Sequence, residues 1–150
     1  MKKWLLLIAV PLVSIVAFVL AGIGLAADEP PLPSVTVDGK AAAVFRGSYC
    51  WSGPASGKCV DMTSPPDIIR FHGAAPVTAS SEATIDIRFK KKPVSGTFGA
   101  TIWLENGETR PARLDGEALV APGEPGIYVY DIHAVWEEGS ASFVFAIEVR

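Results

Sequence analysis

The two cysteines, Cys50 and Cys59, are nine positions apart and have the widest chemical repertoire in this chain. A thiol pair can form a disulfide, supply a nucleophile or hold a metal ion. Their spacing differs from the CxxC of redox proteins, and both histidines are distant, which disfavours the last two uses. Turn formers such as Gly53 and Pro54 would let the ends of the intervening loop approach. The sequence therefore predicts a structural disulfide, which contributes about 2.7 kcal/mol in the chain-entropy model.

Asp131 and His133 are the candidates for acid–base chemistry. They are two residues apart and so share one face of a strand. A proton-transfer pair or a metal site needs a third converging group, and the sequence places none beside them. The sequence also lacks GxSxG, HExxH, a P-loop and a glycine-rich dinucleotide turn. We expect no catalysis, no cofactor and no metal site, and treat Asp131 and His133 as a candidate partner contact on a polar face.

Two tryptophans are further candidates for contact with a partner. Trp103 lies between Ile102 and Leu104. Because these two neighbours are predicted to point into the core, Trp103 is predicted to point outward. An exposed indole often marks a contact surface, although it also serves as cover for an open sheet face. Trp51 shares a strand face with Tyr49 at the mouth of the cysteine loop, and is either a core residue or a contact at the loop tip.

Basic side chains cluster at Arg88, Lys90, Lys91 and Lys92. Such a cluster is typical of a solvated hairpin end that discourages edge pairing. It is also suited to contact with wall polyanions or lipid headgroups. Without the N-terminal lysine pair the chain has 11 basic and 16 acidic side chains, a formal charge of −5, which argues against a nucleic-acid partner.

Short runs of alternating apolar and polar residues dominate the chain after residue 28. Ile85, Ile87 and Phe89 alternate with polar neighbours, as in a half-buried strand. The same alternation recurs at 98–104, 128–136 and 143–149. We find no convincing helical periodicity, and residues 68–71 are predicted to form a short strand or turn after the break at 64–66.

These strands predict an all-β fold, an immunoglobulin-like antiparallel β-sandwich, over residues 35–150. Gly126 and Tyr128 open the penultimate long strand and match the tyrosine corner of such sandwiches, in which the hydroxyl ties down the preceding connection. Tyr130 stands where antibody domains have a cysteine. The predicted disulfide is therefore local and does not join the two sheets.

The N-terminal 27 residues are predicted to be a membrane anchor or a signal peptide. Residues 4–27 form an apolar stretch of 24 residues behind Lys2 and Lys3, long enough to cross a bilayer. The small residues before Ala27 also allow cleavage near Ala26. Residues 28–34 are a proline-rich linker that would hold the domain off the membrane. We expect a cell-membrane protein with its C-terminal domain outside, or a secreted form if cleavage occurs.

Several short motifs resemble those of uncharacterised exported proteins of Bacillus-like Gram-positive bacteria. They are GSYCW at 47–51, CVD at 59–61, SPP at 64–66, GxYxY at 126–130, Trp136 and FxFxI at 143–147. The resemblance covers roughly residues 34–150. It implies an exported, membrane-anchored sandwich with a disulfide loop, and it implies no activity.

Together these features predict a module that binds an unknown cell-surface protein or wall component and is not an enzyme. The alternative is a secreted inhibitor or regulator of an extracellular enzyme, which would use an exposed inserting loop at 51–58.

Overall fold

The computed structural model describes residues 29–54 and 56–150. The anchor or signal peptide expected at 1–27 lies outside these residues. Within the described part of the chain, no helix is long and apolar enough to cross a bilayer.

Twelve strands and one helix make up the described fold. The strands before the helix are β1 (Ser34–Val37), β2 (Lys40–Ala41), β3 (Phe45–Ser52) and β4 (Gly57–Val60), and the helix is α1 (Pro65–His72). The strands after it are β5 (Val77–Ala79), β6 (Thr84–Arg88), β7 (Gly99–Trp103), β8 (Thr109–Pro111), β9 (Arg113–Asp115), β10 (Ala118–Val120), β11 (Gly126–Trp136) and β12 (Gly139–Val149).

Two sheets pack face to face, which confirms the prediction of an all-β sandwich. The five-stranded sheet has the order β2-β1-β6-β10-β9, and the seven-stranded sheet runs β4-β3-β12-β11-β7-β8. All of these neighbours are antiparallel, whereas β5 joins β12 in parallel. The chain passes from one sheet to the other between β8 and β9, so residue 112 lies at a corner of the sandwich.

The core lies between the sheets and follows the predicted alternation. Ile85 and Leu119 of the five-stranded sheet are fully buried, as are Tyr130 and Phe143 of the other sheet. The rings of Tyr130 and Phe145 stack with centroids 4.9 Å apart, which joins the two longest strands. Burial of these side chains is the main force holding the sheets together.

Two local predictions are confirmed. Cys50 and Cys59 are a directly paired cross-strand couple of β3 and β4 and form a disulfide. The hydroxyl of Tyr128 donates a hydrogen bond of 2.9 Å to the carbonyl of Glu124, four residues upstream. This bond ties the connection before β11 to the strand itself, as a tyrosine corner does.

The prediction of a strand or turn at 68–71 is wrong, because residues 65–72 form helix α1. Pro65 suits the first helical turn, where its missing N–H is not needed. The carboxylate of Asp67 accepts a hydrogen bond of 2.6 Å from the hydroxyl of Ser64. Gly73 ends the helix with a left-handed φ of 59°, which glycine adopts without strain. Eight residues are too few for a helical period to stand out in the sequence.

The described part of the proline-rich segment lies against the domain. Pro30 and Pro33 are buried, and Leu32 packs on the core. The guanidinium of Arg46 donates a 2.8 Å hydrogen bond to the Pro30 carbonyl and lies 3.4 Å from the carboxylate of Glu29. Residues 29–33 are therefore part of the sandwich surface and not a free spacer.

Candidate functional site

Helix α1 divides the outer face of the seven-stranded sheet into a covered half and an open half. Ile68 and Ile69 of the helix pack on Val129, Val144 and Ala146 of β11 and β12. These sheet residues face outward, because their neighbours along each strand fill the core. An apolar outer face needs such cover, and the helix provides it.

Trp103 lies at the margin of this cover. It pairs with Val129 across β7 and β11, while the adjacent Ile102 is buried in the core, so the indole points outward as predicted. The indole is half-buried and packs against the apolar cluster under the helix. Trp103 thus contributes to the cover and still leaves part of its ring accessible.

A groove of about 450 Å³ runs between α1 and the strands beside it, and we call it the Trp103 groove. Its sheet side is formed by Trp103, Leu104, Ile127 and Val129, with Glu105 and Gly107 at the end of β7. Its helix side is formed by Ser64, Pro66, Asp67 and Arg70. Indole and aliphatic surface line the floor, while charged groups stand at the rim. This combination suits an apolar side chain carried by a polar backbone.

The rim charges are held in place by local contacts. Asp67 accepts hydrogen bonds from the Ser64 hydroxyl and from the Arg70 guanidinium, and the Ser64 bond is the main reason that the pKa of its carboxyl lies below the usual value. The side chain of Arg70 remains 76% exposed. Glu105 is exposed on the opposite wall. The groove therefore has an Asp67–Arg70 ion pair on one side and a carboxylate on the other.

Asp131 and His133 continue the same outer face in the rows next to Trp103. Asp131 pairs with Thr101, and His133 pairs with Gly99. A Cβ atom added to Gly99 would lie 2.5 Å from Nε2 of His133, so the imidazole lies directly over the glycine. The structure thus aligns Trp103, Asp131 and His133 along one surface, as their sequence parity predicts.

The environment of Asp131 is unusual for an outward-facing carboxylate. The residue is half-buried, and its Oδ1 is buried and has no hydrogen-bond partner among the described residues. Burial raises the pKa of this carboxyl, although a hydrogen bond with Ser142 and the proximity of His133 oppose the rise. Among residues 29–54 and 56–150, no three His, Cys, Asp or Glu side chains are placed to share a metal ion.

Trp51 is a core residue, which removes it from the candidate contacts. It is 6% exposed, and its ring meets that of Trp136 edge to face with centroids 5.5 Å apart. Its position on the inner face of β3 follows from the same parity that buries Tyr49. The disulfide, in contrast, lies on the exposed face of this hairpin.

The basic cluster divides into paired and unpaired cations. Lys91 forms an ion pair with Glu138, which raises the pKa of the lysine, and Lys92 lies 4.0 Å from Glu117. Arg88 and Lys90 have no acidic group within 4.0 Å in the described residues. Lys91 and Lys92 are therefore paired within the domain, and Arg88 and Lys90 remain available to contact an external anion.

The sequence pattern does not predict the exposure of one aromatic residue. Phe71, on α1, is 85% exposed, while the next residue, His72, stacks on Phe45 with ring centroids 4.1 Å apart. Without a predicted helix, the sequence gives no reason to separate these two orientations. The helix start signal at 64–66 and the stop signal at Gly73 could have indicated helix α1, and with it the different orientations of Phe71 and His72.

Comparisons with known proteins assign no function to this surface. No protein-family model, no curated protein and no solved structure matches the chain significantly. The functional interpretation therefore depends on the geometry of the described residues.

Proposed function

We propose that this chain is an extracytoplasmic, membrane-anchored immunoglobulin-like module that acts by binding a cell-surface protein through the Trp103 groove, and not by catalysis. The observation that carries the proposal is the groove itself. An indole and aliphatic residues lie open beside a helix, between the Asp67–Arg70 pair and the carboxylate of Glu105, on the outer face of the seven-stranded sheet. Aromatic residues at the centre of such surfaces contribute much of the binding energy in protein interfaces.

The strand order supports the immunoglobulin-like description. In these domains one sheet has the order A-B-E-D and the other has G-F-C, with C′ added in larger forms. Strands β6, β7, β8, β9, β10, β11 and β12 fit B, C, C′, D, E, F and G in both order and pairing. β5 lies parallel to β12 at the position of an A′ strand, and β1 fits A beside β6. On this description, the hairpin β3–β4 and helix α1 are additions to the common sandwich, and α1 creates the groove.

The proposed location has two supports. The 24-residue apolar stretch at 4–27 behind two lysines is typical of an anchor whose following domain lies outside. The disulfide between Cys50 and Cys59 is exposed at a sheet edge, and such bridges persist in oxidising compartments. The alternative of a secreted inhibitor gains less support, because Trp51, the largest side chain of the supposed inserting loop, is buried.

Photocrosslinking in intact cells tests the binding site. A photoreactive residue replaces Ile127, which is 38% exposed on the groove wall, and in a matched control it replaces the exposed Thr84 on the other sheet. We expect a specific adduct from position 127 only. The adduct should be lost when Trp103→Ala is added and retained with Trp103→Phe, which keeps an aromatic floor.

Two results would contradict the proposal in separate ways. An adduct at position 127 that persists in Trp103→Ala would show that the groove is not the contact. A mature chain that is found in the medium and begins at Ala27 would contradict the membrane anchor and support the secreted form. The second result is read from N-terminal sequencing and does not depend on the crosslinking.

A further inference from the structure

A second cleft, of about 530 Å³, opens beside the edge strand β9 of the five-stranded sheet and shares no residue with the Trp103 groove. Three segments line it: the end of β6, the loop that leads to β7, and the turn between β9 and β10. We call it the β9 cleft. Its largest apolar side chains are those of Ile87, Phe89, Val94, Phe98 and Leu114.

Leu114 shows that the β9 cleft is an opening of the core. Leu114 of β9 pairs with Leu119 of β10, and Leu119 pairs with Ile85 of β6. Residues directly opposite one another in an antiparallel sheet share a face. Since Leu119 and Ile85 are fully buried, Leu114 also faces the space between the sheets, yet it is 46% exposed. The interior of the sandwich is therefore accessible from solvent at this strand.

Two phenylalanines connect the cleft to the buried aromatic core. The ring of Phe89 meets that of Phe98 edge to face with centroids 5.9 Å apart, and it meets the buried ring of Trp136 in the same way at 5.3 Å. Phe89, Phe98 and Ile87 are only half-buried. The cleft thus leaves a continuous aromatic and aliphatic surface in contact with water, and covering this surface would be favourable.

The loop that carries Val94 is fixed to the sandwich by hydrogen bonds. The carbonyl of Lys91 accepts a bond of 2.8 Å from the indole N–H of Trp136. The N–H of Val94 donates to the carbonyl of Val135 at 2.8 Å, and the N–H of Val135 donates to the hydroxyl of Thr97 at 3.1 Å. This wall of the cleft is therefore preformed. Preformed, mostly apolar clefts with a few polar groups are typical of sites for small molecules.

The charged side chains of the lining are those of Arg88, Lys92 and Glu117. Nζ of Lys92 lies 4.0 Å from the Glu117 carboxylate, and both side chains are almost fully exposed, so this pair contributes little. Arg88 has no acidic group within 4.0 Å in the described part of the chain. Its strand, β6, lies between β1 and β10, so this arginine does not protect a sheet edge. An unpaired guanidinium beside an apolar cleft suits the charged head of an amphiphile.

The point where the chain enters the domain lies close to this cleft. Ser34 of β1 pairs directly with Arg88. Glu29 is held on the sandwich surface by two ion pairs, and a single residue separates it from the apolar stretch at 4–27. Because each residue spans at most about 3.6 Å, Glu29 lies within about 7 Å of the end of that stretch and within about 18 Å of Ser34. With the membrane anchor of the proposed function, on which this step rests, the cleft lies near a bilayer that supplies amphiphiles.

We propose that the β9 cleft binds a single-chain anionic amphiphile, a fatty acid or a lysophospholipid, with its acyl chain against Phe89, Phe98 and Leu114 and its charged head at Arg88. Binding removes the apolar surfaces of both the chain and the cleft from water. Arg88 donates charge-assisted hydrogen bonds to the carboxylate or phosphate oxygens. Single exposed aliphatic side chains are normal on protein surfaces, but Leu114 and Val94 line one cleft together with two phenylalanines, and such a contiguous patch marks a binding site.

Photolabelling of the full chain in phosphatidylcholine vesicles tests the proposal. The probe is palmitic acid with a diazirine on its last carbon. In a bilayer this carbon lies near the midplane, about 15 Å from the headgroups, and is out of reach of an external domain. An adduct within 87–98 or 114–117, mapped by mass spectrometry, therefore reports an acyl chain that has entered the cleft. We expect such adducts, and we expect unlabelled palmitate to compete with them.

Two further probes with the same labelled chain define the head of the ligand. Palmitoyl lysophosphatidylglycerol carries a phosphate, and monopalmitoylglycerol carries no charge. We expect adducts in the cleft from both anionic probes and about tenfold fewer from monopalmitoylglycerol, which forms no charge-assisted contact with Arg88. The anionic probe with the higher yield identifies the source of the ligand as a free fatty acid or a phospholipid product.

Substitutions assign the adducts to the cleft. Leu114→Glu places a carboxylate in the apolar wall and should reduce the adducts about tenfold or more. Met62→Glu is the matched control, because Met62 is 41% exposed outside the cleft, and it should leave them unchanged. If Leu114→Glu does not fold, Val94→Glu should show the same loss. Arg88→Gln should reduce labelling by palmitic acid about tenfold and leave labelling by monopalmitoylglycerol unchanged, whereas Arg150→Gln should change neither.

Each contrary outcome overturns a defined part. Adducts confined to residues 4–27, or cleft adducts that persist in Leu114→Glu, would overturn the site. Equal yields from palmitic acid and monopalmitoylglycerol, or unchanged labelling by palmitic acid in Arg88→Gln, would overturn the anionic ligand class. The crosslink from position 127 in the Trp103 groove is a separate measurement, so its persistence beside any of these results would leave the proposed function standing.

Discussion

Replacement of Ile68 by Ala should destabilise the domain, although helix α1 is short and lies outside the sandwich. Ile68 is 2% exposed and packs on Val129, Val144 and Ala146. Truncation of a buried isoleucine to alanine costs about 2–5 kcal/mol in well-packed cores. The helix forms a single layer that can relax toward solvent, and alanine favours helix slightly more than isoleucine does. We therefore expect the lower part of that range, about 2–3 kcal/mol.

For a domain of this size, such a loss lowers the midpoint of thermal unfolding by roughly 10 °C. Denaturant unfolding of the full chain, followed by circular dichroism, measures the free energy directly. The matched control is Phe71→Ala in the same helix, because Phe71 is 85% exposed and its loss should change stability by about 0.5 kcal/mol or less. Equal effects of the two substitutions, or a change below about 0.5 kcal/mol for Ile68→Ala, would refute the packing of α1 on the sheet.

Three other perturbations test separate parts of the structure. Replacing both Cys50 and Cys59 by serine should lower the free energy of unfolding by about 2.7 kcal/mol, and adding a reductant should then have no further effect on the denaturation midpoint. Tyr128→Phe removes the hydrogen bond to the Glu124 carbonyl and should cost about 1 kcal/mol, seen as a midpoint roughly 4 °C lower by calorimetry. Asp131→Asn should stabilise the domain at pH 7 by about 1 kcal/mol, because a half-buried carboxylate with an unpaired oxygen is replaced by a neutral amide. The raised pKa of Asp131 means that its protonated form is favoured on folding, so its unfavourable contribution appears as the pH rises through the folded pKa. The gain in Asp131→Asn must therefore vanish in acid; a gain that is equal at pH 3 and pH 7 would contradict this explanation.

The sandwich was predictable from the sequence because each strand has one face in the core and one face outside, so apolar and polar residues alternate with a period of two. Ile85 is buried and its polar neighbours are exposed, and the same parity places Trp103 outward and Trp51 inward. The position of Tyr128 was equally readable, since its hydroxyl contact depends on local spacing. Such features follow from residues a few positions apart, where the sequence carries the whole constraint.

The elements added to the sandwich were harder to predict. Helix α1 has eight residues, and its stability comes from packing on β11 and β12, whose contacts lie about 60 and about 75 residues further along the chain. β5 has three residues and pairs in parallel with the C-terminal strand β12. Short elements have weak propensities of their own, and tertiary contacts decide their form. The candidate site depends on such an element, since the Trp103 groove needs α1.

The length of α1 explains why an indole is left open at its margin. Eight helical residues rise about 12 Å. The helix lies across β3, β12 and β11, and each further strand adds about 4.8 Å of sheet width. The four strands from β3 to β7 therefore span about 14 Å between their axes, so the helix cannot cover β7 as well. Trp103 lies on β7, where its ring contacts the apolar cluster under the helix and also lines the groove. A smaller residue there would leave the apolar face under the helix open to water. A large, partly exposed indole thus both protects the domain and supplies the contact surface, which is why Trp103→Phe should keep both properties while Trp103→Ala should lose both.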